Sequence, residues 1–183
     1  MNNNLFENEL TEELKDITLC FACDDIDYFL NIKLSDLVEW EQTKIDEFFN
    51  HDPALCDILF DDDELSNIIN ADHYCPCYGG LFKDLNSLNE FITDGGDLDM
   101  LNTIMEDLTD LQEAMDIVSR ENYVLYPGCD DNYDLGCYIY EEFYSYDYKD
   151  FPLSNYIDFE ALGRDQAMST SGFFSQKGYI EYI

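Results

Sequence analysis

Cysteine, histidine and carboxylate spacing marks where this chain might carry chemistry. Cys20-x-x-Cys23 and His73-x-Cys75-x-Cys77 offer the thiolate and imidazole donors that tetrahedral zinc takes. Cys20 and Cys23 fall on a predicted strand, however, where a spacing of three points them to opposite faces. Thiols buried as small apolar groups are the commoner use of cysteine. Asp130, Asn132, Asp134 and Glu141 stand at positions 1, 3, 5 and 12 of a calcium-loop pattern. Leu135 replaces the glycine that loop requires, and the following residues read as helix where loop is needed. His51 and His73 have no nucleophile elbow or thiol-protease signature beside them. Neither a Walker-type glycine loop nor a dinucleotide fingerprint occurs. The expectation is a protein without cofactor, without a specific metal and without catalysis, leaving a metal-binding acidic protein as the minor alternative.

Carboxylates are the abundant resource. The chain has 42 Asp and Glu against 8 Lys and Arg, a net charge of -34 on 183 residues. Like charges on a compact surface oppose compaction, so such an excess calls for a purpose. Duplex DNA carries about one charge per 1.7 Å of axis, so this excess corresponds to roughly 58 Å, or about 17 base pairs. The first expectation is therefore a protein that looks like DNA to proteins that bind DNA. Nucleic acid is not an expected partner, for want of a basic face. A halophilic surface and a solvated acidic surface without a partner are the plainer explanations; seven cysteines and many aromatics fit halophily poorly. Seven cysteines with no signal peptide point to a reducing cytoplasm. No apolar run approaches the ~20 residues of a membrane helix, and anionic lipid would repel the chain.

Hydrophobic content of 46% and aromatic content of 15% provide for cores, so the acidity does not signal disorder. Residues 1–16 read as a short helix or loose arm. Strands are expected at 17–23 and 28–34, around a turn at Asp24 and Asp25, then a helix from an N-cap at Ser35 through Phe49. A short strand at 56–60 precedes the acidic run Asp61-Asp62-Asp63-Glu64, and Pro and Gly make a loop of 74–80. Helical spacing resumes at Leu85, Leu88, Phe91 and Ile92, and again from Leu98 to Val118. A strand at 123–126, helices at 131–146 and from near Pro152 past Ala161, a turn at Gly172 and a strand at 179–183 complete the reading. Gly136 weakens the helix that contains it. The expected fold class is α+β, in three domains: 1–54 with an extra leading arm, 55–120 mainly helical, and 121–183.

The C-terminal third carries a recognisable pattern. Asn155-Tyr156-Ile157-Asp158-Phe159-Glu160-Ala161-Leu162-Gly163-Arg164-Asp165 closely resembles the signature of the ArdA antirestriction proteins, typically Asn-Tyr-Ile-Asp-Tyr-x-Ala-Tyr-Gly-Arg-Asp. Cys129 to Asp134, with Tyr138-Ile139 and Glu141-Glu142, is similar to that family's acidic helix. Gly178-Tyr179-Ile180-Glu181-Tyr182 is similar to its last strand. The resemblance is specific over 123–183 and diffuse before it. Asp24-Asp25-Ile26-Asp27 stands where the family has a Gly-Lys-Tyr-Asn turn. The resemblance implies an elongated row of three small α+β domains with a highly acidic surface, usually paired through the C-terminal region. It further implies imitation of bent DNA in the groove of type I restriction-modification enzymes. Such proteins are carried by phages and conjugative elements.

The expected phosphate-imitating carboxylates are Asp61, Asp62, Asp63, Glu64, Asp107, Asp110, Glu113, Asp130, Asp131, Asp134, Glu141, Glu142, Asp147 and Asp150. The signature residues Asn155, Tyr156, Ile157, Asp158, Phe159, Leu162, Gly163, Arg164 and Asp165 serve a domain core or a homodimer seam, with Arg164 paired to a local acid. The expected partner is the methyltransferase core of a type I enzyme. The competing target is another DNA-handling system, such as a CRISPR effector or a different defence nuclease.

Overall fold

The computed structural model describes residues 5–6, 8–23, 28–51, 53–60, 65, 68–69, 78–144 and 156–183. The chain is a mixed α+β protein with two small antiparallel sheets, divided into two compact units. One holds residues 1–105 and 110–115; the other holds 106–109 and 116–183.

In the first unit, β1 (Thr18–Cys23) is central, flanked by β2 (Tyr28–Lys33) and β3 (Ala54–Leu59). Leu19, Phe21 and Ile32 turn inward on the period of two that a half-buried strand requires. On β3 the buried residues are Leu55 and Ile58, three apart. A bulge opposite Cys20 and Phe21 inserts the extra residue, setting Leu55 against Phe21 and Ile58 against Leu19. The strand expected to open a middle domain is thus paired into the N-terminal sheet.

The helix expected from Ser35 to Phe49 is two helices, α2 (Leu34–Val38) and α3 (Gln42–Asn50), and Ser35 lies inside the first rather than capping it. Separation at 39–41 lets α3 bring Phe48 and Phe49 edge-on to Phe21, at ring distances of 5.4 and 6.1 Å. Each such pair contributes about 0.5–1.5 kcal/mol beyond burial. The leading arm contains α1 (Glu12–Lys15) and is docked on α4 (Tyr78–Thr93). Phe6, Leu10 and Leu14 are buried. Asn86 donates to the Leu5 carbonyl at 2.9 Å, and Asn89, 2% exposed, both donates to the Glu9 carbonyl and accepts from the Thr11 amide. Leu81, Leu85, Leu88 and Phe91 form the buried stripe of α4. Gly95, at φ 83°, ends it in a Schellman turn, with Gly96 N–H bonded to the Phe91 carbonyl and Gly95 N–H to that of Ile92. The periodic stretch 98–118 is also two helices, α5 (Leu98–Ile104) and α6 (Leu111–Ser119). Asp97 and Asp110 each accept backbone amides and start a new helix, which apolar spacing alone does not show.

In the second unit, β4 (Tyr123–Pro127), β6 (Gly178–Tyr182) and β5 (Ser171–Ser175) form a sheet in that order. Gly172, expected in a turn, is inside β5; the turn lies at 176–177. Helices α7 (Asn132–Tyr144) and α8 (Phe159–Ser169) complete this unit; α8 begins later than expected, and Pro152 lies outside the described residues. A Cβ on Gly136 would strike the Phe159 carbonyl, and one on Gly163 the Asn132 carbonyl. The two glycines allow the backbones of α7 and α8 to touch. Gly136 therefore loses helix propensity in exchange for this approach. Gly163→Ala should destabilise the protein by about 2 kcal/mol or more in urea unfolding, despite alanine's better helix propensity. A neutral result would show that the crossing relaxes freely.

Candidate functional site

Candidate carboxylates fall on well-formed elements of both units, and local bonds hold several of them. Asp110 is the N-cap of α6, its Oδ1 accepting from the amides of Gln112 at 2.9 Å and Glu113 at 3.1 Å. Asp131 caps α7 by accepting from the Asp134 amide at 3.0 Å. Glu113 and Asp134 occupy the first turns of these helices, where the positive end of the helix dipole favours acids. Asp107, expected on a helix face, lies in the turn after α5, and its Oδ2 accepts from the Tyr182 hydroxyl at 3.1 Å. Asp130 and Glu142 are exposed and Glu141 is half-buried. Asp61 to Glu64, Asp147 and Asp150 lie outside the described residues.

Local acids engage several of the basic side chains. Lys15 binds Glu12 at 2.8 Å, Lys33 binds Asp16 at 2.9 Å and Arg120 binds Asp116 at 3.1 Å. Lys44 lies 3.7 Å above the Trp40 ring. Exposed pairs of this kind contribute little stability, about 0–1 kcal/mol, but each neutralises charge locally. Arg164 is exposed, and among the described residues no carboxylate lies within ion-pair distance of it, contrary to the expected local pairing.

The signature residues have separate duties. Phe159, 4% exposed, packs with Cys137 and Tyr140, with Ile157 and Leu162 partly buried against them. Asp158 caps α8 through the Ala161 amide at 2.9 Å, and Gly163 makes the close crossing. Tyr156 is 85% exposed, as are Phe143 and Met168 nearly so. Asp165 is exposed, and Asn155 lies outside the described residues.

No group of three or more His, Cys, Asp or Glu suited to a metal occurs among the described residues; His73, Cys75 and Cys77 lie outside them. The calcium-like pattern spans a helix. Asn132 and Glu141 lie about 13 Å apart along α7, so they cannot wrap one cation. Cys129 is buried, and burial, followed by the fields of Asp134 and Asp130, pushes its thiol up to about 11. That is a core thiol and a poor nucleophile at neutral pH.

Sequence reading missed the phenols that hold carboxylates. Besides Tyr182, Tyr126 donates to Glu181 at 2.9 Å, and Gln166 approaches the same oxygen at 3.5 Å. Strand register makes the contact: Tyr126 pairs with Tyr179, two residues from Glu181 on one strand face. Burial, then the bond to Glu181, pushes Tyr126 up to about 12. The neutral phenol is the form favoured by folding, so its contribution is complete below pH 10 and is lost as pH rises through about 12. Tyr126→Phe should therefore lose less stability than the unaltered chain between pH 10 and 12, measured by urea unfolding; equal losses would refute the linkage.

Capping gives a second prediction. Asp110→Ala and Asp131→Ala should each cost about 1 kcal/mol, whereas the Asn variants, which keep the acceptor, should cost a few tenths. Equal melting of the Ala and Asn variants would rule out the capping role.

Residues 6–181 match the family model of the antirestriction protein ArdA. The match begins within the docked arm and so takes in the N-terminal half, well beyond the C-terminal signature. No match was found among curated proteins. With nearly its whole length covered, the chain belongs to the ArdA family of antirestriction proteins.

Proposed function

We propose that this protein is a non-enzymatic DNA mimic that occupies the DNA groove of a type I restriction-modification enzyme and blocks both modification and cleavage. In this reading small α+β domains arranged in a row present an acidic surface in place of duplex phosphates. The homodimer of this reading uses the exposed Tyr156 side of the signature, doubles the charged length and works in the host cytoplasm. The observation that carries it is a net charge of -34 in a family of antirestriction proteins, with candidate acids held on helix starts and turns.

The mechanism is electrostatic competition. The target's groove presents lysine and arginine spaced for phosphates, and carboxylates of opposite sign steer approach and pair on contact. Because exposed charges are screened over about 10 Å at 0.1 M salt, binding weakens as salt rises. The energy is spread over Asp107, Asp110, Glu113, Asp130, Asp131, Asp134, Glu141 and Glu142, together with Asp61 to Glu64, Asp147 and Asp150. No single one dominates.

DNA cleavage by a purified type I enzyme tests the proposal. Increasing amounts of the protein should inhibit stoichiometrically, less so at higher salt, with relief by excess competitor DNA. Single Asp→Asn changes should alter inhibition less than about threefold, and combined changes progressively more. Absence of inhibition by folded protein would reject the type I target and redirect the search to other DNA-binding defence enzymes. Abolition by one Asp→Asn change would replace mimicry with a discrete site.

A further inference from the structure

We infer that Tyr182 is a positioning residue for the acidic surface: it holds the Asp107 carboxylate in place for a basic side chain of the target. The inference rests on the DNA-mimic reading above. Asp107 sits in a turn, not on a helix, so its backbone offers no cap of the kind that fixes Asp110 and Asp131. Its Oδ2 instead accepts from the Tyr182 hydroxyl at 3.1 Å, across a sequence separation of 75 residues.

The phenol is itself well anchored. Tyr182 ends β6, the central strand of its sheet, paired with Tyr123 on one side and Ser171 on the other. Its ring lies against Phe173 at 6.0 Å, and the Ile183 amide bonds to the Asn122 carbonyl at 3.0 Å just beyond. A rigid strand end thus reaches out to a carboxylate on a turn and fixes its position. An imitation of phosphate needs charges at set points, because a freely rotating carboxylate must be ordered when it meets its partner. Ordering one side chain reduces affinity by about two- to tenfold. Tyr182 removes that cost before binding while adding no charge of its own.

Tyr182→Phe deletes one hydroxyl, keeps the ring and leaves the net charge unchanged. The test measures dissociation constants for a purified type I methyltransferase core at several salt concentrations, using unaltered protein, Tyr182→Phe, Asp107→Asn and the double variant. Tyr182→Phe should bind about two- to threefold more weakly with the same salt slope, and no more weakly than Asp107→Asn. Asp107→Asn should weaken binding and lower the slope, because one charge is gone. The double variant should be no weaker than Asp107→Asn, since a neutral side chain gains nothing from being aimed. Tyr182→Phe binding as tightly as the unaltered protein, or fully additive losses in the double variant, would overturn the positioning role alone. The same non-additivity separates positioning from a general loss of structure, which would lower affinity in both backgrounds. No binding by the unaltered protein would overturn the type I target and, with it, a positioning role against that target.

Discussion

Mutual repulsion among carboxylates is the constraint under which this fold is assembled, with 42 acids and 8 basic residues along 183 positions. Each unit must gain enough from burial to hold like charges close together. Aromatic packing answers much of that need. In the first unit Phe6, Phe82, Phe49, Phe48 and Phe21 make a chain of edge-on rings, extended by Trp40. In the second, Tyr126 meets Tyr138 and Tyr179, and Phe159 meets Tyr133 and Tyr140. The Gly136–Gly163 crossing adds backbone-to-backbone contact that no larger residue permits.

The same structure turns some acids into parts of its framework. Asp97, Asp110, Asp131 and Asp158 start helices, using one oxygen to satisfy amides that would otherwise lack a partner. A carboxylate used this way stabilises its helix and still presents negative charge outward. Capping and phosphate imitation are thus compatible in one side chain, and a highly charged surface need not be a loosely held one. Glu181 is a different case: half-buried between Tyr126 and Gln166, it belongs to the internal bonding of its unit.

Local signals were legible where they depended on near neighbours. The strands at 18–23, 28–33 and 123–127 and the helix α7 follow alternation or helical periodicity, and the acidic excess with the 155–165 signature pointed to the family. Helix breaks were less legible. Residues 34–50 and 98–119 keep apolar spacing through their breaks, so periodicity alone ran two helices together in each. Asp110 reads as a surface charge in so acidic a stretch, although Asp before an apolar run is also a helix-start signal.

Sequence by itself determined the charge, the aromatic supply, the family and which residues are acidic, because these are properties of composition and short patterns. Tertiary structure alone decided which acids are held by residues distant in the chain, and by what. Asp107 and Tyr182 meet because a turn after α5 lies beside the end of β6, and Glu181 meets Tyr126 because of strand register. It also decided that β3 joins the first sheet through a bulge, and that the leading arm docks on Asn86 and Asn89. Such contacts join residues tens of positions apart, and their energy exists only once the intervening chain has folded.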